Sequence, residues 1–219
     1  MKKMVMVMAL ALTFAVTAFG STTYNNFTGY NPFWHPFGNP DTSTYGETFT
    51  APSNGDHVLN NFSLYLAGPS NPGSIILGGY IATWNGTNAG TLLYSSAAVT
   101  DPNTGNIQLT FNTGNLSLTP GGDYVAFLSV SQFYGQSSGE AFASVGDASV
   151  PGGNFVYFNN GGNFGELFTN QWDATGLKPD FSFTANFSGG APIPEPSSLL
   201  LLGTGILGAA GALRRKLSA

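Results

Sequence analysis

The sequence contains no cysteine, so neither a disulfide framework nor a cysteine-ligated zinc site is available to it. That absence fits a cytosolic chain and an exported chain that needs no disulfides equally well. Histidine is reduced to His35 and His57, which do not make a zinc site by themselves. Charged residues are only 8% of the chain while aromatics reach 14%. Disordered chains show the opposite balance, so a folded domain is expected. Basic residues are scarcest where a domain would lie. Of the six Lys and Arg, Lys2 and Lys3 sit at one end and Arg214, Arg215 and Lys216 at the other, leaving Lys178 alone between them. Ten of the eleven acids, all but Glu195, lie between Ser21 and Gly190. Ten acids against one lysine give that stretch about −9, which repels phosphate backbones and excludes nucleic acid as a partner.

Long apolar runs occur only at the two ends. Residues 1–20 have the layout of a signal peptide: Lys2 and Lys3, an apolar core from Val5 to Val16, then small residues up to Gly20. Cleavage by signal peptidase is expected between Gly20 and Ser21. At the other end, residues 197–213 carry no charge and span roughly 25 Å as a helix. That is close to the shortest single membrane crossing. Arg214, Arg215 and Lys216 follow as a stop, and the positive-inside rule keeps the tail at 214–219 cytoplasmic and the preceding domain outside. Within this run Gly203, Gly205 and Gly208 spell G-x-G-x-x-G. A nucleotide-binding loop needs a preceding strand and an acid some 20 residues on, and here the chain ends first. Glycines spaced along a membrane helix serve close helix packing instead.

Pro194-Glu195-Pro196, the glycine-containing apolar helix and the terminal Arg-Arg-Lys together resemble the PEP-CTERM sorting signal, over residues 191–216. The resemblance implies a protein exported in Gram-negative bacteria and anchored first in the inner membrane. An exosortase-type enzyme would then handle it near the Pro-Glu-Pro and deliver it to the cell surface or extracellular matrix. The same tail has also been labelled after ice-binding proteins that carry it, so the label alone does not imply ice binding. Physically, two prolines hold Glu195 in extended backbone, suited to a protease, on the linker 189–196.

Between these signals the apolar residues alternate with period two. Ile107-Gln108-Leu109-Thr110-Phe111 and Phe181 to Phe187 are the clearest cases. Tyr124–Val130 and Phe155–Phe158 are bulky on both faces, which predicts strands deeper in a core. Turn dipeptides such as Asn54-Gly55 and Asn85-Gly86 separate the runs. The pattern predicts about eight to ten strands over 44–188, including separate strands at 106–112 and 115–119, in an all-β antiparallel sandwich of jelly-roll type. Residues 21–43, rich in aromatics and proline, are expected to be an irregular lead-in. Tyr45 to Pro52, Ala82 to Gly86, Leu93 to Ser96 and Phe155 to Asn160 also resemble a recurrent exported domain of PEP-CTERM proteins. That resemblance implies a β-sandwich without an assigned chemistry.

No catalytic constellation emerges, no cofactor is implied, and no residues are assigned to a metal. Gly135-Gln136-Ser137-Ser138-Gly139 matches G-x-S-x-G, but both histidines precede it and no helix pattern follows. Asp101 to Asn106 has oxygen ligands in alternation like the start of a calcium loop, yet Asn112 stands where the closing Glu is needed. Capped-turn geometry is the expectation there. Trp34, Trp84 and Trp172 are candidates for stacking on a sugar. The segment Asn31 to Phe37 either packs over the sandwich or meets a partner. A structural, adhesive or glycan-binding role at the cell surface, with extracellular polysaccharide as partner, is therefore the leading expectation. A carbohydrate-active enzyme, which needs two acids across a cleft, and an ice-binding protein, which needs a regular threonine face, are the alternatives.

Overall fold

Glycine, serine and asparagine punctuate this chain often enough that no long helix forms in the sandwich, and period-two runs pair instead. The computed structural model describes residues 20–146, 149–174 and 179–189, with the single helical position Gly205. Gly20–Gly190 is a compact unit of its own. Of the expected signal peptide 1–20, linker 189–196, membrane helix 197–213 and basic tail 214–219, all but Gly20, Gly189 and Gly205 lie outside the described residues. Among the described residues no helix is long and apolar enough to cross a membrane.

Among the described residues the strands are β1 (Ser21–Asn25), β2 (Pro32–Gly38), β3 (Thr44–Thr50), β4 (Val58–Asn71), β5 (Ile75–Trp84), β6 (Ala89–Ser95) and β7 (Val99–Asp101). They continue with β8 (Ile107–Ser117), β9 (Asp123–Ser129), β10 (Glu140–Gly146), β11 (Phe155–Phe158), β12 (Asp173–Ala174), β13 (Asp180–Phe181) and β14 (Phe183–Ser188). Every strand pairing is antiparallel, in two sheets. In the first sheet β4 is central. It bonds β8 along one edge, and β14 followed by β10 along the other. Strand β1 flanks β14, and both β2 and β13 pair with β10. The second sheet runs β12-β11-β3-β9-β5-β6, with β7 beside β6 on β5. The chain crosses from sheet to sheet between β2 and β5 and again between β7 and β11, which gives the sandwich its jelly-roll character.

The core lies between the sheets. Phe49 of the second sheet meets Phe183 and Phe187 of the first, at ring separations of 5.5 and 6.1 Å. Phe62 and Phe111 stack at 5.1 Å, and Tyr45, Phe155 and Phe181 pack edge and face together. A second apolar cluster occupies the outer face of the second sheet: Tyr80, Ala82, Val125, Phe127 and Val156 under Leu167 and Trp172. The 3-10 turn Phe164–Phe168 brings this cover across. The double-sided bulk of Tyr124–Val130 and Phe155–Phe158 is explained by this cover: alternate residues fill the inter-sheet core and the space under the turn.

Two sequence expectations are corrected. The lead-in 21–43 is not all irregular, since β1 and β2 are strands of the first sheet. Pro32 and Pro36 concealed β2, because proline reads as a strand breaker although a sheet edge tolerates its missing N–H. The two strands expected at 106–112 and 115–119 are one strand, β8. Gly114 and Asn115 adopt positive φ (70° and 65°), and the register with β4 shifts between Leu59 and Asn61. What reads as a turn signal is a bulge inside a continuous strand.

Candidate functional site

Where apolar residues of the first sheet turn inward, their polar neighbours must turn outward, and the pairing register aligns these into rows. One row runs Thr23, Asn186, Asn61, Asn112 across β1, β14, β4 and β8. The next runs Asn25, Thr184, Ser63, Thr110. Tyr65 and Gln108 begin a third. None of these side chains is charged. Thr23, Asn25, Gln108, Thr110, Asn112 and Asn186 are exposed.

Hydrogen bonds hold the rows in place. Thr23 Oγ1 donates to Asn186 Oδ1 (3.0 Å), and Asn186 Nδ2 donates to Asn61 Oδ1 (2.8 Å). Gln108 Nε2 donates to Ser63 Oγ (3.1 Å), and the Ser63 and Thr110 hydroxyls lie 2.8 Å apart. The Tyr65 and Thr184 hydroxyls are 3.3 Å apart. At the Tyr65 end sits an aromatic group. Phe27 stacks on Tyr65 with centroids 4.1 Å apart and planes 9° off parallel, and Tyr30 meets Phe27 edge-on at 5.1 Å. Burial, with Tyr65 close by, raises the Tyr30 phenol above its ordinary range. The face thus combines amides and hydroxyls, which both donate and accept, with an apolar platform. It is chemically matched to a neutral ligand rich in hydroxyl groups.

Two of the three tryptophans are held in packing contacts. Trp172 is 3% exposed, and its Nε1 donates to the Leu167 carbonyl (2.8 Å). Trp84, partly buried, meets it edge-on at 5.7 Å. Both belong to the cover of the second sheet, and Trp172 is core, not a sugar platform. Trp34 lies in β2, and its side chain is outside the described residues. The segment around it packs over the sandwich, with Phe37 fully buried and the Tyr45 hydroxyl donating to the carbonyls of His35 and Pro36.

Ser137 of the G-x-S-x-G stretch is 4% exposed. Its Oγ donates to Ile76 O (2.8 Å) and accepts from Ile76 N (2.9 Å), which pins a loop to β5. The Asp101 turn is a capped turn. Asp101 Oδ1 accepts from Asn103 N (2.8 Å), and Asn103 Nδ2 donates to the carbonyls of Asn71 and Glu140. Burial raises the Asp101 carboxyl above its usual range. Another acid pair escaped sequence reading altogether. Glu47 and Asp180 are 0% and 5% exposed, and Glu47 Oε2 accepts from Phe181 N (3.0 Å). Burial, reinforced by Asp180, pushes Glu47 well above the ordinary carboxylate range. Nothing marks the pair in the sequence, because 132 intervening positions separate residues that only the inter-sheet packing unites. Gly20 is exposed, and Ser21 opens β1. The sorting residues Pro194, Glu195 and Pro196 and the basic stop Arg214, Arg215 and Lys216 lie outside the described residues.

The family described as the PEP-CTERM protein-sorting motif matches residues 192–216. The chain carries a PEP-CTERM sorting motif. That motif marks an exported protein, sorted through the membrane and processed by an exosortase-type enzyme. No curated protein matches the chain. Among solved structures, similarity is found to the cysteine protease and lectin-like domains of Cwp84, a surface layer associated protein of Clostridium difficile. Identity is 12% and the TM-score 0.46, covering 78% of this chain and 36% of that one. The clostridial cysteine protease Cwp84 after propeptide cleavage matches at 12% identity and a TM-score of 0.49, covering 78% of this chain and 40% of that one.

Proposed function

We propose that this PEP-CTERM protein is carried to the cell surface or extracellular matrix, where its sandwich binds glycan in a structural or adhesive role without catalysis. In this reading signal peptidase cuts after Gly20, and the tail anchors the chain in the inner membrane until the sorting enzyme acts near Glu195. The observation that carries the glycan assignment is the uncharged Asn/Thr/Ser/Gln face of the first sheet beside Phe27 and Tyr65. Neutral sugars offer many hydroxyls and apolar ring faces, and a charged site would hold their polymers no better. The enzyme alternative needs acids that reach a substrate, and the Glu47–Asp180 pair is enclosed between the sheets. The ice-binding alternative needs a regular threonine face, whereas the first row holds one threonine, Thr23, with three asparagines.

The test is binding of the full-length protein, purified in detergent, to arrayed glycans and to extracellular polysaccharide of the producing cell. A Phe27→Ala, Asn186→Ala double variant is expected to lose at least about tenfold in affinity, measured well below its own cooperative unfolding transition, tenfold being about 1.4 kcal/mol. Undiminished binding by that variant removes the face from the reading. Thermal hysteresis in the absence of glycan binding would favour the ice-binding alternative.

A further inference from the structure

Removal of a signal peptide gives a chain a group that its sequence does not spell out, a new α-amine. Hydrolysis of the Gly20–Ser21 bond adds one water across it. The carboxyl group formed departs with Gly20 and gives up a proton, and the amine left on Ser21 takes one up. An ordinary α-amine titrates at about 7.7–8.0, so this one is mostly ammonium at neutral pH. The fold determines what that charge meets.

Asp56 lies in the turn ahead of β4 and is 7% exposed. Its own N–H donates to Asn54 Oδ1 (3.2 Å), which fixes the turn. Asn54 Nδ2 donates to Thr22 Oγ1 (3.2 Å), and that hydroxyl donates in turn to Asp56 Oδ2 (2.9 Å). On the other side of Ser21 the carboxylate packs directly on Gly20: a Cβ built there would lie 2.6 Å from Oδ1 and 2.9 Å from Oδ2, closer than such atoms pack. Residues 20 and 22 share one face of the extended chain. The carboxylate therefore spans the Ser21 nitrogen, which is two bonds from the Gly20 α-carbon. Gly189, where the chain leaves β14, adjoins the same carboxylate, with a built Cβ 3.4 Å from Oδ1.

The backbone leaves that nitrogen uncommitted to the ladder. Gly189 N donates to Gly20 O (3.4 Å), and Ser21 stands opposite Ser188. This arrangement makes Ser21 and Ser188 a non-hydrogen-bonded pair, whose N–H groups point away from the partner strand. Cleavage removes the Gly20 carbonyl and its neutral bond. It leaves three N–H donors on a charged nitrogen beside a buried carboxylate, and charge-assisted bonds are roughly twice as strong as neutral ones.

We propose that Asp56 receives the N-terminus that processing creates: the Ser21 α-ammonium pairs with its carboxylate and ties β1 to the turn at 54–56. The proposal rests on the reading that signal peptidase cuts after Gly20. Strand β1 joins the first sheet through β14 and carries Thr23 and Asn25, the first members of the two polar rows. The pair thus fastens the rim of the polar face, and does so only in the processed protein.

The test uses protein isolated in detergent from the producing cell, as wild type and as Asp56→Asn. Mass spectrometry of the N-terminal peptide reads the cleavage site. Labelling of that peptide's amine by an amine-reactive ester, followed from about pH 6 to about pH 10, reads how firmly the amine holds its proton. A free peptide beginning Ser21-Thr22-Thr23-Tyr24 is the reference. The wild-type midpoint is expected about one pH unit above that of the peptide, with labelling about tenfold slower on the acid side, and Asp56→Asn should return the midpoint to the peptide value. Shielding by packing alone would slow labelling at every pH without moving the midpoint. That result overturns the pairing, and it needs no variant to fold. A raised midpoint that survives Asp56→Asn also overturns it. Either result, with Ser21 found as the first residue, leaves the cleavage reading standing, whereas a different first residue overturns both.

Discussion

Replacing Trp172 with alanine separates its two competing roles, since a core tryptophan and a sugar platform fail in different ways. Its ring is 3% exposed and touches Trp84 and Phe127 edge-on at 5.7 and 5.4 Å. Its N–H satisfies the Leu167 carbonyl at 2.8 Å. Truncating a buried tryptophan costs about 3–5 kcal/mol through lost transfer energy and the cavity left behind. For a chain of this size each kcal/mol moves the unfolding temperature by about 2–4 °C, so Trp172→Ala should unfold roughly 6–20 °C below wild type. Trp172→Phe keeps most of the ring and removes the donor, and should cost about 1–3 kcal/mol. The measurement is thermal unfolding followed by near-ultraviolet circular dichroism, in parallel with glycan binding measured well below the transition. A Trp172→Ala protein that unfolds within about 2 °C of wild type yet no longer binds glycan would overturn the core assignment.

Gly79→Ala should destabilise by about 1–3 kcal/mol through overpacking, because a Cβ there would lie 2.5 Å from the Phe111 ring. Gly135→Ala, with nothing within 4 Å of the new carbon, should stay within about 0.5 kcal/mol when both variants are unfolded by urea titration. The buried Tyr80 phenol donates to Gln132 Oε1 at 3.0 Å and is pushed up by burial from 10.0 to about 12. A raised pKa means the fold favours the neutral phenol. Stability from this residue is therefore complete below pH 10 and lost as pH rises through about 12, some 2–3 kcal/mol in all. Ultraviolet titration of the tyrosines should show this late group, and Tyr80→Phe should remove it; a simple titration centred at pH 10 would contradict the burial argument. In the producing cell, wild-type protein should have a C-terminus near the Pro-Glu-Pro by mass spectrometry, whereas Glu195→Ala should retain the chain to Ala219. An identical C-terminus in both would rule out sorting by cleavage at that motif.

Features that depend on residue order over a short stretch are legible in this chain without its fold. The period-two run Ile107 to Phe111 announces a half-buried strand, because side chains alternate across a pleat and only one face of it is apolar. The sorting tail is legible for a related reason: Pro-Glu-Pro, an uncharged run and three basic residues act through order and spacing along the chain, which is what a sorting enzyme and a membrane encounter. What depends on pairing between distant strands is not legible in this way. Gly114-Asn115 carries the same local turn signal whether it ends a strand or bulges within one, and the partner β4 selects the bulge. The prolines of β2 read only as breakers until an edge position accommodates them. Trp172 offers the same ring to a ligand or to a core, and the turn at Phe164–Phe168 brings it inward.

Fold class and destination thus follow from residue order, since both rest on patterns that are local along the chain. The polar rows of the first sheet and the meeting of Glu47 with Asp180 arise only on folding. Strand register and sheet packing bring together residues that no local periodicity relates.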